Sequence, residues 1–318
     1  MIEEIQKIIV SNRPNLSESS LKTYTSTIKN LYYKIYPDDK KDAIFTIAKL
    51  YDEKTVLNYL KDTPPNIRKS ILSALISICS TIEQKQQYAI IMKEDIKKYE
   101  LEQEKQIKNE KQAENWIDQS KLKEIFNSYN AKSVEIYKKY KKSNMVCDMK
   151  DIQELQNFVI ICLTSGLFIP PRRSVDWCEM VIDPLDLENN VYTNKKNKSD
   201  FIFRKYKTAK IYNNQVLTVP KELNKILQQF IIFRSNYFNL PYLLFDTICH
   251  KLTSVKLNQR LNQIFDGKIS VNALRHSFIS DKYIGKPLPN IKEILNTSLS
   301  MAHAPMMHLK YIKNDATK

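Results

Sequence analysis

The sequence predicts a mainly helical α+β protein, an N-terminal helical domain followed by a C-terminal helical domain that holds a small antiparallel sheet. Three observations lead there. Only three glycines, Gly166, Gly267 and Gly285, occur in 318 residues, and few stretches alternate apolar with polar side chains. Elsewhere the apolar residues recur at helical spacing. Short β-rich runs are confined to one block, between Val175 and Pro220.

The elements follow in chain order. "NLSESSLKTYTSTIKNLYYKIYP" opens on serines and places Leu21, Tyr24, Ile28, Leu31 and Tyr32 at helical spacing. "TVLNYLKD" is a second helix. "PNIRKSILSALISICSTI", after the Pro64-Pro65 break, is a third, apolar enough to be central to its domain. Residues 83–113 are a highly charged helical stretch that reads as a solvated helix or linker. The domain boundary is set at its end, dividing the chain into 1–113 and 114–318. "ENWIDQSKLKEIFNSYN" starts the second domain, and "DIQELQNFVIICLTSGL" is a buried helix ending at Gly166. "VDWCEMVI", "VYTN", "FIFRKYKTAKIY" and "QVLTVP" are the β-rich runs, with Asn213-Asn214 as a hairpin turn. Helix returns in "KELNKILQQFIIFRSNY", "SVKLNQRLNQIF", "SVNALRHSFISDKYI", "NIKEILNTSL" and a terminal helix starting near Ala304. Helices around one small sheet make an α+β domain.

Composition then narrows the function. A hydrophobic fraction of 42% with 27% charged residues is that of a folded globular protein. No apolar run approaches membrane-spanning length, and the start "MIEEIQKIIV" lacks the layout of a secretion signal, so an intracellular location is expected. The five cysteines are widely spaced and form no CxxC pair, which argues against a disulfide framework and a zinc site. With four histidines at no ligand spacing, no metal is expected. The scarcity of glycine excludes a Walker loop and a GxGxxG turn, hence a nucleotide cofactor. A net charge of +15 favours a polyanion, and nucleic acid is the commonest.

Four stretches carry candidate chemistry. "TSGLFIPPRRSVDW" puts Arg172 and Arg173 directly after a buried helix, with Asp176 three residues beyond Arg173. "YKTAK" puts Lys207 and Lys210 at a strand end. "NALRHSF" puts Asn272, Arg275 and His276 on an apolar helix, and "MAHAPMMHLKY" supplies His303 and Tyr311. Each also has a plainer explanation: an ion pair between Arg173 and Asp176, a solvated Lys207, a core histidine at position 276. Arg275 is harder to dismiss, because a buried guanidinium needs an anionic partner. Taken together they suit metal-free phosphoryl transfer. Arginines bind phosphate oxygens in pairs and stabilise a pentacoordinate phosphorus. A tyrosine attacks once cations favour its phenolate. A lysine protonates the departing oxygen.

The order and spacing of these residues resemble the tyrosine recombinase, or phage-type integrase, family over residues 119–311. "SGLFIPPRRSVD" is similar to that family's first-arginine box and selects Arg173 over Arg172 through the acidic residue three positions on. "YKTAK" resembles the lysine-bearing turn between two strands, with Lys207 ahead of Lys210. "NALRHSF" resembles the His-x-x-Arg box with Arg275 as its arginine, and "MAHAP" resembles the Gly-His box that precedes the tyrosine. The resemblance departs at Asn272, where the family has histidine, and in a His303–Tyr311 spacing one residue short of the commonest form. Seven residues follow Tyr311, too few for the C-terminal helix many relatives dock on a neighbouring protomer.

The resemblance implies a DNA clamp whose N-terminal helices face the catalytic domain across duplex DNA, hinged by residues 83–113. It implies catalysis by Arg173, Lys207, Arg275, His303 and Tyr311 through a 3′-phosphotyrosyl intermediate without metal or ATP. It further implies a homo-tetramer on paired sites, in a virus or mobile element acting in the host cytoplasm or nucleus. A topoisomerase IB or telomere resolvase shares that chemistry, and a catalytically silent DNA-binding relative is the other alternative.

Overall fold

Polar caps decide where the first helices begin. The Ser17 side chain accepts from the Ser20 N–H at the start of Glu18–Ile35, and Asp52 does the same for Thr55 at the start of Glu53–Leu60. Pro65 occupies the first turn of Pro65–Ile78, where its missing N–H costs nothing. Thr81 and Gln84 form a capping box that opens Ile82–Glu104. The computed structural model describes residues 1–41, 44–141, 146–182, 186–287 and 289–315. They fall into two compact units, Met1–Lys105 and Gln106–Lys318.

In the first unit these helices and Ile2–Asn12 bury one core that includes Ile5, Ile9, Ile28, Tyr32, Leu72, Leu75 and Tyr88. The charged stretch beginning at residue 83 is therefore not solvated all round. Tyr88 and Asp95 of Ile82–Glu104 are fully buried, and Asp95 takes both Arg68 Nε and Arg68 Nη2 at 2.8 Å. That bidentate pair ties the charged helix to Pro65–Ile78.

The second unit is built around Met149–Thr164, whose residues from Leu155 to Thr164 are all buried. Gln119–Lys141, Lys221–Ser235 and Ser254–Phe265 pack on it. The sheet order is β1 (Met180–Val181), β2 (Asn190–Tyr192), β3 (Asp200–Phe203) and β4 (Gln215–Thr218). β2, β3 and β4 are antiparallel, but β1 runs parallel to β2, so the sheet is mixed rather than purely antiparallel. After β1 the chain bonds Ile182 N–H to Pro241 O and bridges Val181 to Tyr242, so it does not fold straight back into a hairpin. Among the described residues, no helix is long and apolar enough to cross a membrane.

Two β-rich runs are partly helical. "VDWC" lies in the short helix Ser174–Cys178, because burying Trp177 and pairing Asp176 with Arg172 four residues earlier suits one helical turn. Within "FIFRKYKTAKIY", β3 stops at Phe203 and Ala209–Tyr212 is helical. The Asn190 side chain ends the strand: its Oδ1 accepts the Arg204 and Lys205 N–H groups at 2.7 Å, and its Nδ2 donates to Lys205 O at 2.9 Å. Those groups are lost to the ladder. Asn213, at φ +53°, caps the short helix instead of making a two-residue hairpin turn.

Candidate active site

A helix C-terminus leaves carbonyl oxygens without intrahelical partners, and they attract cations. The helix Ile291–Ser300 ends in this way, and three successive carbonyls each hold an arginine. Ser300 O accepts Arg172 Nη1 at 2.9 Å, Met301 O accepts Arg275 Nη1 at 3.1 Å, and Ala302 O accepts Arg173 Nη1 at 2.6 Å. Ala302 reaches this geometry at φ +54°, in the left-handed region. The Arg275 helix, Val271–Tyr283, starts on a Ser270 cap and lies close against Gly166. A Cβ at Gly166 would stand 2.4 Å from Phe278 Cδ2, and Gly166 itself has φ +87°. Only glycine permits that approach.

Arg172 and Arg173 have different partners. Arg172 is buried, donates to Asp176 Oδ2 at 2.9 Å and Gln215 Oε1 at 2.8 Å, and lies 3.7 Å from the Phe203 ring centroid. Burial raises the Asp176 carboxyl against the pull of Arg172, and lowers the Arg172 guanidinium against the pull of Asp176. The ion pair in this box is thus Arg172–Asp176, four residues apart, and not Arg173–Asp176. Arg173 remains half-buried beside the cluster.

Arg275 is the hub. Its Nη1 also donates to Pro171 O at 2.8 Å, Nη2 donates to His303 Nδ1 at 2.8 Å, and Nη2 and Nε point at Tyr311 Oη from 3.2 and 3.4 Å. The Tyr311 ring stacks on His303, centroids 5.0 Å apart and 16° from parallel. His276 Nδ1 donates to the Tyr311 carbonyl at 2.8 Å, and the Lys313 N–H beyond it donates to Ser280 Oγ at 2.8 Å. The Val271–Tyr283 helix therefore holds the tyrosine by its oxygen and by its backbone. The terminal helix is shorter than its spacing suggests, Pro305–Leu309, so Tyr311 sits in the turn after it, where the His276 bond claims its carbonyl.

Burial makes the histidines weak bases. His303 is pushed down to about 3, by desolvation first and by its neighbours Arg275, His308 and Arg173 second. Desolvation likewise takes His308 and His276 to about 4. All three are neutral at pH 7. Because arginine only donates, Nδ1 of His303 must accept, which puts the ring proton on Nε2.

The remaining candidates stand at the rim. Lys207 is exposed in the turn after β3, with no bond to the cluster, although the adjacent Thr208 Oγ1 donates to Ala302 O at 3.2 Å. Lys210 is exposed on Ala209–Tyr212, and Asn272 is exposed one turn before Arg275. Sequence reasoning missed His308 and Tyr283: His303 Nε2 lies 2.9 Å from His308 Nδ1, and His308 Nε2 lies 3.1 Å from Tyr283 Oη. The His-x4-His spacing across the Pro305 helix start was the available signal. A cavity of about 550 Å³ lies elsewhere, lined by Tyr137, Tyr140, Lys225 and Phe233.

Comparison with known proteins adds structural likeness alone. No protein-family model matches the chain, and no curated protein does. Among solved structures it is similar to XerA recombinase at 12% identity and TM-score 0.41, covering 97% of this chain and 93% of that one. It is also similar to XerH site-specific recombinase bound to difH substrate in a pre-cleavage complex, at 13% identity and TM-score 0.47 over 99% and 92% of the two chains. The post-cleavage complex of XerH with palindromic difH is similar at 13% identity and TM-score 0.46, over 98% of this chain and 90% of that one.

Proposed function

We propose that this chain is a site-specific DNA recombinase or integrase of the tyrosine type, breaking and rejoining strands through a 3′-phosphotyrosyl bond. One observation carries the reading. Arg275 touches both the Tyr311 hydroxyl and the His303 ring, while Arg173 is held on the neighbouring carbonyl. A phosphate entering there meets two guanidinium groups and a phenol oxygen already facing one of them.

In this reading Arg173 and Arg275 clamp the scissile phosphate and Tyr311 Oη attacks phosphorus. Lys207, free on its exposed turn, protonates the departing 5′-oxygen. Bond energy is conserved in the phosphotyrosyl ester, so neither metal nor ATP takes part. Residues 114–318 form the catalytic domain. Residues 1–113 supply clamping helices whose lysines hold the duplex backbone with an affinity that falls steeply with salt. Paired DNA sites would bring four copies together, and the richness in Lys, Asn, Ile and Tyr, as an AT-rich genome encodes, suits a virus or mobile element.

The test is a denaturing gel after incubation with nicked duplexes that let the cleaved 5′ fragment diffuse away. The expected result is a covalent protein–DNA band that the Tyr311→Phe variant does not form. A second reading, a catalytically silent DNA-binding relative, is favoured by Asn272, which cannot carry a proton where the resembled family has histidine. Salt-sensitive binding with no band from either protein would select it. Return of the broken strand to its own partner would instead indicate a topoisomerase-like enzyme.

A further inference from the structure

Attack by Tyr311 requires that its hydroxyl lose a proton, and the usual acceptors are occupied or missing. Position 272 holds an exposed asparagine, Asp176 is engaged by Arg172, and His276 is committed to the Tyr311 carbonyl. What the site does contain is a line of hydrogen bonds: Arg275 Nη2 to His303 Nδ1, His303 Nε2 to His308 Nδ1, His308 Nε2 to Tyr283 Oη, at 2.8, 2.9 and 3.1 Å. Only one arrangement of protons satisfies it. Nδ1 of His303 accepts from arginine, so Nε2 donates to Nδ1 of His308, and the His308 proton lies on Nε2 facing Tyr283. His303 and His308 are 3% and 0% exposed while Tyr283 is only partly buried, so the line leads from the reaction centre toward solvent.

We propose that His303, His308 and Tyr283 form the route by which the Tyr311 proton leaves the site, an inference that rests on the strand-transfer reading above. His303 Nδ1 and Tyr311 Oη share one donor, Arg275 Nη2, at 2.8 and 3.2 Å, so phosphate oxygens that take the Arg275 N–H groups leave the Nδ1 lone pair without its donor next to the hydroxyl. The Tyr311 oxygen bonds to phosphorus, the bond from phosphorus to the 5′-oxygen breaks, and the hydroxyl proton passes to His303 Nδ1. The Nε2 proton of His303 moves to His308 Nδ1, that of His308 Nε2 moves to Tyr283 Oη, and the Tyr283 proton passes to water. Both rings end neutral, and Lys207 separately protonates the departing oxygen. His308 and Tyr283 are positioning residues, acting through His303.

Single-turnover formation of the covalent adduct tests this on two nicked duplexes, one with the natural 5′-oxygen leaving group and one with a 5′-sulfur that departs without protonation. His308→Gln keeps a donor and an acceptor but cannot exchange protons along the line; it is expected to slow adduct formation about 10²-fold on both duplexes. Tyr283→Phe, which removes one partly exposed hydroxyl and keeps the fold, should slow both about tenfold. Lys207→Ala should be slow on oxygen and recover on sulfur. Unchanged rates in His308→Gln and Tyr283→Phe, or their recovery on sulfur, would overturn the proposal while leaving strand transfer intact. No Tyr311-dependent adduct from the unaltered protein would remove the strand-transfer reading, and this inference with it.

Discussion

At the scale of single residues, two adjacent arginines meet opposite surroundings. Arg172 is buried against Asp176, Gln215 and the Ser300 carbonyl, whereas Arg173 is half-buried with one bond to Ala302 O. Removing one member of a buried ion pair strands the other charge. Arg172→Ala is therefore expected to cost about 3–5 kcal/mol of stability, measured by denaturant titration. Arg173→Ala should cost about 1 kcal/mol, the worth of one hydrogen bond. Its main effect should be loss of the phosphotyrosyl adduct on nicked duplexes. Equal destabilisation by the two variants would contradict this division of roles.

At the scale of elements, the site depends on how closely two helices meet. Met149–Thr164 ends at Gly166, and Phe278 of Val271–Tyr283 occupies the space a side chain there would need. Gly166→Ala combines left-handed strain with overpacking and should destabilise the second unit by about 2–4 kcal/mol. Because Arg275 and His276 ride on the displaced helix, the cost should be accompanied by weaker adduct formation. A variant with an unchanged melting temperature would show that Phe278 swings aside freely. The C-terminal segment is a second such dependence. Lys108 N–H bonds Asn314 O at 2.9 Å and Asn314 N–H bonds Gln106 O at 2.6 Å, which holds the chain just beyond Tyr311.

At the scale of the whole molecule, the neutral histidine cluster couples stability to pH. His303 and His308 titrate near 3 and 4 when folded, below the 6.5 of an exposed histidine. The unfolded chain therefore takes up protons first as pH falls below about 6.5, and stability declines from there toward pH 4. The slope is about 1.4 kcal/mol per pH unit for each proton the unfolded chain gains first, and stability is flat above the window. Thermal melts between pH 7.5 and 5 should show the decline, and His308→Gln should make it shallower. A melting temperature that rises on acidification would mean that the cluster binds its proton in the folded state.

By itself the sequence determined the helical character and the order of the helices, and it picked out Arg173, Arg275, His303 and Tyr311, which the fold brings together. These rest on local rules: apolar spacing, a serine-rich helix start such as that before Leu21, and proline at helix starts. Arg275 stood out because a guanidinium on an apolar helix needs a partner. Tertiary structure alone decided which partner each residue took. Asp176 went to Arg172, the guanidinium that is buried with it, and Asn190 ended β3 by capturing two N–H groups from a distant stretch. The charged helix Ile82–Glu104 proved packed because one buried aspartate, Asp95, meets Arg68 from another helix. His308 and Tyr283 joined the site through contacts between segments 25 residues apart, a juxtaposition that no local periodicity encodes. Local propensity acts over a few residues, whereas hydrogen-bond satisfaction of buried polar groups is settled only when distant segments meet.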